Sequence, residues 1–215
     1  KVTLRQALAI SCNTAFAWLG NELGAAAIRD QAEAFGFNSG FNIPLRAATS
    51  LFPQDPDAPQ TALSAIGQFE VRATALQMAM VAASIGNSGR TMNPYLVQEI
   101  RGPDLSILQT TEPSQFEDAL KPSNSLSLTE MLVNVVENGT GSNAQIAGVR
   151  VAGKTGTAQT GNDSPSVAWF ISFAPAAAPK VAVAVVIEES GFAEVSGNGL
   201  AAPIAKEVMK AVLGS

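Results

Sequence analysis

The 215-residue chain has 47% hydrophobic and 14% charged residues, a balance typical of one globular domain, or most of one, with a sizeable core. Its net charge of −5 offers no basic surface for phosphate groups, which argues against a nucleic-acid partner. The chain has no histidine and one cysteine, so its residues exclude a Ser-His-Asp triad, a histidine-dependent metal site and an internal disulfide.

Residues 1–147 are predicted to be mostly helical. Thr3 and Gln6 have the spacing of an N-terminal capping box, which predicts that the chain opens in a helix. The polar run Ser11-Cys12-Asn13 interrupts the helical pattern, and two further helices are predicted before Gly36.

Two polar segments divide this helical part. Residues 37–60 and 102–124 contain several Pro, Asn, Asp and Ser residues and lack helical periodicity, so both are predicted as loops. Residues 74–88 have the apolar spacing of a helix. Ser127 and Glu130 have capping-box spacing, which predicts the start of another helix.

The pattern changes from helical to extended in residues 148–215. Asn138-Gly139-Thr140 matches a glycosylation sequon, but Asn-Gly after a helix is typical of a capping turn, and it is interpreted as one. Runs rich in Val, Ile and Phe then predict three strands, over 149–159, 167–174 and 180–188. The last residues, from about 201, have helical spacing.

This order of elements predicts the fold class. Helices, then three strands with short connections and a final helix, indicate an antiparallel sheet flanked by helices. The fold is therefore expected to be α+β (mixed), and residues 1–215 are interpreted as part of a single domain.

Lys154-Thr155-Gly156-Thr157 is the tetrapeptide that best suggests chemistry. In an edge strand, Lys154 and Gly156 would face one way and the two threonines the other, and the glycine would let a ligand backbone approach closely. Such a strand can bind an extended peptide and offer a backbone N–H to a developing oxyanion. On its own, the tetrapeptide also fits a surface strand with a solvated lysine.

A second motif favours a functional role for this tetrapeptide over a solvated surface strand. Ser11 and Asn13 form an S-x-N triplet upstream of the K-T-G sequence. Ser11 alone also fits a local hydrogen bond to the backbone. Together, S-x-N and K-T-G are two of the three signatures of the penicillin-recognising serine acyltransferases.

The resemblance to this family extends along nearly the whole chain. The segments that carry it include SCNTAFAWLG, SAIGQFEVRATALQMAMVAASIGNSG and VVENGTGSNAQIAGVRVAGKTGTAQ. The chain resembles the transpeptidase domain of penicillin-binding proteins, and is more similar to the high-molecular-weight class B enzymes than to β-lactamases. The bifunctional class A enzymes are an open alternative. The resemblance implies the β-lactamase/DD-peptidase fold, here incomplete.

Two departures from the family pattern stand out. The third signature is S-x-x-K, the nucleophilic serine and its lysine base, and no serine of this chain has a lysine three positions later. The resemblance places that motif before Lys1, in an upstream part of the same protein. Phe69 occupies a position where the family usually has a second glycine after Gly67-Gln68.

The resemblance also implies a role for each matched residue. Ser11 would relay a proton to the leaving amine, and Asn13 would orient the lysine of the missing motif and hold the donor peptide. Lys154 would supply positive potential and tune the proton relay. Thr155 and Thr157 would bind the terminal carboxylate of the substrate, and the Thr157 N–H would contribute to the oxyanion hole.

The implied activity is that of a peptidoglycan D,D-transpeptidase, a serine acyltransferase that cross-links stem peptides and is acylated by β-lactam antibiotics. No cofactor or metal ion is expected. The implied location is the outer face of the bacterial cell membrane, through an N-terminal anchor outside these residues, with cell-division or elongation proteins as possible partners. Two alternatives are open: a D,D-carboxypeptidase or β-lactamase, and a non-catalytic penicillin-sensor or peptide-binding module.

Overall fold

A computed structural model describes residues 2–159, 166–188 and 195–214. The helices are α1 (Leu4–Ala9), α2 (Asn13–Leu23), α3 (Ala25–Ala34), α4 (Ala58–Ser64), α5 (Ala75–Gly86), α6 (Pro122–Asn138) and α7 (Ala202–Leu213), with a 3₁₀ turn at Ser142–Ala144 and a π-helical turn at Gly197–Ala201. The strands are β1 (Arg90–Met92), β2 (Glu99–Arg101), β3 (Ile107–Thr110), β4 (Gln115–Asp118), β5 (Ala152–Ala158), β6 (Val167–Ala174) and β7 (Val181–Ile187). Within the described ranges, no helix is both long and apolar enough to cross a membrane.

The first helix begins with the capping box that the sequence predicts. The Gln6 N–H donates to Thr3 Oγ1 over 3.2 Å, and the Thr3 N–H donates to Gln6 Oε1 over 3.0 Å. Two backbone donors that have no partner inside the helix are thereby satisfied. The predicted interruption is also confirmed, because α1 ends at Ala9 and α2 starts at Asn13.

The main sheet has three antiparallel strands in the order β5-β6-β7, so β6 is central. Thr155 of β5 is opposite Phe170 of β6, and Phe170 is in turn opposite Val185 of β7. The predicted antiparallel sheet is therefore confirmed, and its strands match the three predicted segments closely.

Both faces of the central strand are buried. Phe170 packs with Met209 of α7 in one core cluster, and both side chains are 0% exposed. Phe173, three positions later on the strand and so on the opposite face, packs with Val133 of α6 and Ile85 of α5 in a second cluster. Helices therefore cover the sheet on both sides, as the α+β fold class requires.

The structure corrects the prediction of a loop over 102–124. This segment contains β3 and β4 and the first residues of α6, and each strand forms a separate two-stranded pair, with β2 and β1 respectively. All four residues of β3 are exposed. A strand that is solvated on both faces has no alternation of apolar and polar residues, so its sequence does not show the usual strand pattern.

One helix start was also predicted wrongly, and another was missed. α6 begins at Pro122, where proline suits the first turn, and the Ser127 hydroxyl donates to the Ser123 carbonyl inside the helix over 3.0 Å. α4 begins at Ala58, inside the predicted 37–60 loop, and continues beyond it to Ser64. Its start is a capping box of Asp57 and Gln60, a sequence signal that the prediction missed.

Candidate active site

Ser11 lies at the corner between α1 and α2, with its backbone in the left-handed region at a φ of 54°. The Ser11 N–H donates to the Leu8 carbonyl over 3.2 Å, and the Cys12 N–H donates to the Ala7 carbonyl over 2.9 Å. A non-glycine residue in this conformation costs about 1 kcal/mol, and such residues cluster at functional sites. The corner thus holds Ser11 in a conformation that a regular helix would not allow.

The strand β5 carries the K-T-G sequence along an edge of the sheet, as predicted. Gly156 is opposite Trp169 of β6. The backbone of Gly197 packs closely against both Gly156 and Trp169. A Cβ at Gly197 would overlap the Trp169 carbonyl oxygen and lie 2.8 Å from the Gly156 carbonyl oxygen. Two close backbone contacts therefore fix the middle of the motif on its covered side.

Lys154 joins the two motifs. Its Nζ donates to Ser11 Oγ over 2.8 Å and to the Thr155 carbonyl oxygen over 2.8 Å, although Lys154 and Ser11 are 143 positions apart in the chain. Burial lowers the pKa of Lys154 to about 8. A lysine with this pKa holds a charge at neutral pH but releases its proton far more readily than an exposed lysine, which suits proton relay.

The two threonines of the motif differ in their surroundings. The Thr155 hydroxyl is hydrogen-bonded to the hydroxyl of Thr140, with 2.7 Å between the oxygen atoms, whereas Thr157 is exposed. Thr140 follows α6 and was not predicted as a site residue. The sequence marks it only indirectly, as a hydroxyl residue between Gly139 and Gly141 in a segment that resembles the family.

Asn13 is exposed at the first residue of α2. Among the described residues, the Lys154 ammonium donates to Ser11 and to the Thr155 carbonyl, and no hydrogen bond joins it to Asn13. The neighbouring thiol of Cys12 lies 3.6 Å from the Thr14 hydroxyl oxygen, and hydrogen bonding from Thr14 lowers the pKa of Cys12.

The exposed edge of β5 borders a cleft of about 770 Å³. One wall is the K-T-G strand with Trp169, and the others come from α3, α5 and the segments around α4. The side chains of these other walls are mainly apolar, and include Ile28, Phe35, Phe52, Ile66, Val71 and Met78. The cleft therefore has one polar side, formed by the motif, facing a large apolar surface.

Comparisons with known proteins agree with the motifs. The family model that matches is the penicillin-binding protein transpeptidase domain, over residues 1–210. The peptidoglycan D,D-transpeptidase PbpA of Mycolicibacterium smegmatis is 44% identical over 99% of this chain, which covers 44% of that protein. The stage V sporulation protein D of Bacillus subtilis is 32% identical over 93% of this chain and 32% of that protein.

Solved structures give the same result. The ceftriaxone acyl-enzyme complex of penicillin-binding protein A from M. tuberculosis has a TM-score of 0.95 and 44% identity, and the match covers 99% of this chain and 48% of that one. A D,D-transpeptidase domain from Eggerthella lenta has a TM-score of 0.88 and 36% identity, with 99% and 53% covered. The chain thus spans less than half the length of the first curated relatives it matches.

Proposed function

The chain belongs to the penicillin-binding protein transpeptidase family, and from this membership we propose that it is the C-terminal portion of one transpeptidase domain in a peptidoglycan D,D-transpeptidase. The observation that carries the proposal is the 2.8 Å hydrogen bond from Lys154 to Ser11, which joins the K-T-G and S-x-N motifs in one site. The names of the relatives add support, since PbpA is a peptidoglycan D,D-transpeptidase.

The proposed nucleophile is the serine of an S-x-x-K motif in an upstream part of the same protein. The apolar walls of the 770 Å³ cleft support this proposal. A helix with an apolar face would bury those walls and could present its serine towards the exposed edge of β5. The cleft is therefore proposed to hold that helix as well as the substrate.

The proposed reaction is acyl transfer in two steps. The upstream serine adds to the carbonyl of the D-Ala-D-Ala amide, and its proton passes to the lysine of S-x-x-K. Ser11 then delivers a proton to the amine of the departing D-Ala and takes a proton back from that lysine, which leaves an ester between the stem peptide and the serine. An amine of a neighbouring stem peptide attacks this ester and forms the cross-link, and the proton that the amine loses passes to the departing serine oxygen.

The described residues supply the other parts of the proposed machinery. Lys154 adds positive potential beside the substrate carboxylate, and the hydroxyls of Thr155 and Thr157 bind that carboxylate. The Thr157 N–H, with that of the nucleophile, stabilises the oxyanion. Asn13, exposed two residues after Ser11, is proposed to hold the donor peptide and orient the upstream lysine. β-Lactams acylate the same serine as substrate mimics.

The proposed place of action is the outer face of the bacterial cell membrane, where peptidoglycan is assembled, with an N-terminal segment as the anchor. Proteins of cell division or cell elongation are the proposed partners. Both proposals rest on the family and on the substrate, because stem peptides are cross-linked outside the membrane.

The test uses the complete protein and a fluorescent penicillin. Mass spectrometry of the labelled protein is expected to place one adduct on a serine upstream of Lys1. Ser11→Ala should slow adduct formation about 100-fold or more, because a positioned proton relay contributes at least that much. Ser127→Ala, at an exposed helical position, is the matched control and should label like the parent.

A second assay separates transfer from hydrolysis. The protein is given a stem-peptide donor and an acceptor peptide with a free amine, and cross-linked and hydrolysed products are quantified. Mainly cross-linked product supports the transpeptidase. Mainly hydrolysed product would assign a carboxypeptidase instead, and a parent protein that forms no adduct at all would leave only a peptide-binding module.

A further inference from the structure

The turn after α6 contacts both halves of the proposed site. Its residue Thr140 lies with its hydroxyl oxygen 2.7 Å from that of Thr155, in the K-T-G strand. The Thr140 backbone N–H donates to the Ala9 carbonyl over 3.0 Å, just before the corner that holds Ser11. One residue outside both motifs is therefore bonded to the strand of one and to the helix end of the other.

Close packing holds this turn in place. A Cβ at Gly139 would overlap the Ala9 carbonyl oxygen, and a Cβ at Gly141 would lie 3.3 Å from the buried ring of Phe170. The flanking glycines thus let the turn approach α1 on one side and the core of the sheet on the other. Thr140 has little freedom to move away from Thr155.

The direction of the Thr140–Thr155 hydrogen bond has a chemical consequence. A hydroxyl has one proton to donate, and an ionised carboxylate can only accept. If Thr155 donated to Thr140, it would have no proton left for the carboxylate of a substrate. If Thr140 donates, the Thr155 proton is free, and a hydroxyl that accepts one hydrogen bond becomes a stronger donor in the next.

We propose that Thr140 is a positioning residue for carboxylate recognition, which donates its hydroxyl proton to Thr155 Oγ1 so that the Thr155 hydroxyl is aimed at, and donates to, the carboxylate of the substrate. The proposal rests on the proposed function, because it needs a substrate carboxylate at Thr155. It extends the site by a residue that acts through Thr155 and does not itself touch the substrate.

The test compares variants of the complete protein in acylation by benzylpenicillin, with the dissociation constant and the acylation rate constant measured separately. Thr140→Val keeps the shape of the side chain but removes the hydroxyl, and should weaken penicillin binding about fivefold, as expected for the loss of the one neutral hydrogen bond that aims the Thr155 hydroxyl. Thr140→Ser retains the hydroxyl and should stay within about twofold of the parent. The acylation rate constant of bound penicillin should change little.

Two further readouts distinguish positioning from a structural role. The methyl ester of benzylpenicillin lacks the carboxylate anion, so Thr140→Val should react with the ester as the parent does. In a Thr155→Val background, Thr140→Val should have no additional effect, since the group through which it acts is gone. Thermal unfolding of each variant reports whether the fold has changed.

Several results would overturn the proposal. Equal binding of benzylpenicillin by Thr140→Val and the parent would do so, as would an equal loss with penicillin and its ester, or additive losses in the double variant. Failure of Thr140→Ser to restore binding would also contradict it. Failure of the proposed function gives a different result, namely a parent protein that benzylpenicillin does not acylate.

Discussion

Two regions of the molecule bury very different amounts of their apolar surface. The sheet layer, which comprises β5–β7 with α5, α6 and α7, contains side chains that are 0% exposed, such as Phe170 and Met209. The helical arm, which comprises α2, α3 and α4, has no side chain that is 0% exposed. α3 has no buried residue, and the only buried residue of α2 is Gly20.

This difference shows which region contains its own core. The apolar side chains of the sheet layer pack on one another, whereas several of those of the arm line the cleft or face solvent, such as Ile28 in the cleft and Trp18, which is 64% exposed. Hydrophobic stabilisation is proportional to the apolar area removed from water. The sheet layer therefore supplies most of the stability, and the arm depends on what covers the cleft.

The proposed active site lies where the two regions meet. Lys154 belongs to the sheet layer, and Ser11 is two residues before the first residue of the arm. Their hydrogen bond joins a rigid strand to a helix start that has much less burial behind it. The following predictions test this comparison, first within each region and then at the junction.

The largest expected effect is on stability within the sheet layer. Phe170→Ala should lower the free energy of unfolding of the complete protein by about 4 kcal/mol, because it removes a fully buried ring and leaves a cavity. Trp18→Ala removes a larger ring from the arm, yet should change the free energy by no more than about 0.5 kcal/mol because the ring is exposed and does not line the cleft. Urea denaturation followed by far-UV circular dichroism measures both.

Equal losses in these two variants would show that the arm is as well buried as the sheet layer. A large loss for Trp18→Ala alone would place an upstream segment over Trp18. In either case the contrast between the regions would have to be abandoned for the complete protein.

The same contrast explains what the sequence could predict. The strands β6 and β7 were recognised because they lie in or beside a core and are rich in apolar residues, and β5 was recognised together with the apolar Val149 and Val151 that precede it. β3 was missed because it is solvated on both faces, and α4 because a helix of 7 residues has too few turns to show a period. The apolar pattern of a segment depends on how much of it is buried, so its secondary structure is hard to predict from sequence where burial is low.

The candidate site follows a related rule. Ser11 and Lys154 could be paired from two motifs, although nothing in the spacing alone gives the 2.8 Å contact. Thr140 was not predicted, because its role depends on a tertiary contact with Thr155 and its tripeptide resembles an ordinary turn. The left-handed backbone conformation of Phe69 likewise could not be predicted from the sequence.

The next prediction concerns pH and tests Lys154, which joins the two regions through its hydrogen bond to Ser11. Burial lowers the pKa of Lys154 to about 8, so the ammonium is charged below pH 8 and loses its proton above it. If that charge attracts the substrate carboxylate, penicillin acylation by the complete protein should fall about tenfold per pH unit above 8. An exposed lysine would give this decline only near pH 10.4 or so.

Two arginine variants provide the comparison. Lys154→Arg keeps its charge to about pH 12, so the decline above pH 8 should disappear, whatever the absolute rate of the variant. Lys206→Arg, on α7, should retain the decline of the parent. A parent profile that stays flat to pH 10, or one that Lys154→Arg does not change, would remove the Lys154 charge from substrate binding.

The smallest expected effect is at Phe69, beside the arm between α4 and α5. Phe69 has a φ of 62°, in the left-handed region, and its side chain is 43% exposed. This conformation is the physical reason for a glycine here, since a residue without a Cβ adopts it with no steric cost. The sequence departure noted at this position is therefore a source of backbone strain.

Two substitutions separate the strain from the loss of the ring. Phe69→Ala and Phe69→Gly both remove the ring, but only glycine relieves the left-handed backbone, so the glycine variant should be the more stable by about 1 kcal/mol. At ordinary backbone positions the order is reversed, and glycine is the less stable by roughly 0.5–1 kcal/mol. Urea denaturation of the two variants shows which has the larger free energy of unfolding. If the alanine variant is the more stable, this loop relaxes out of the left-handed conformation, as a region with little burial can.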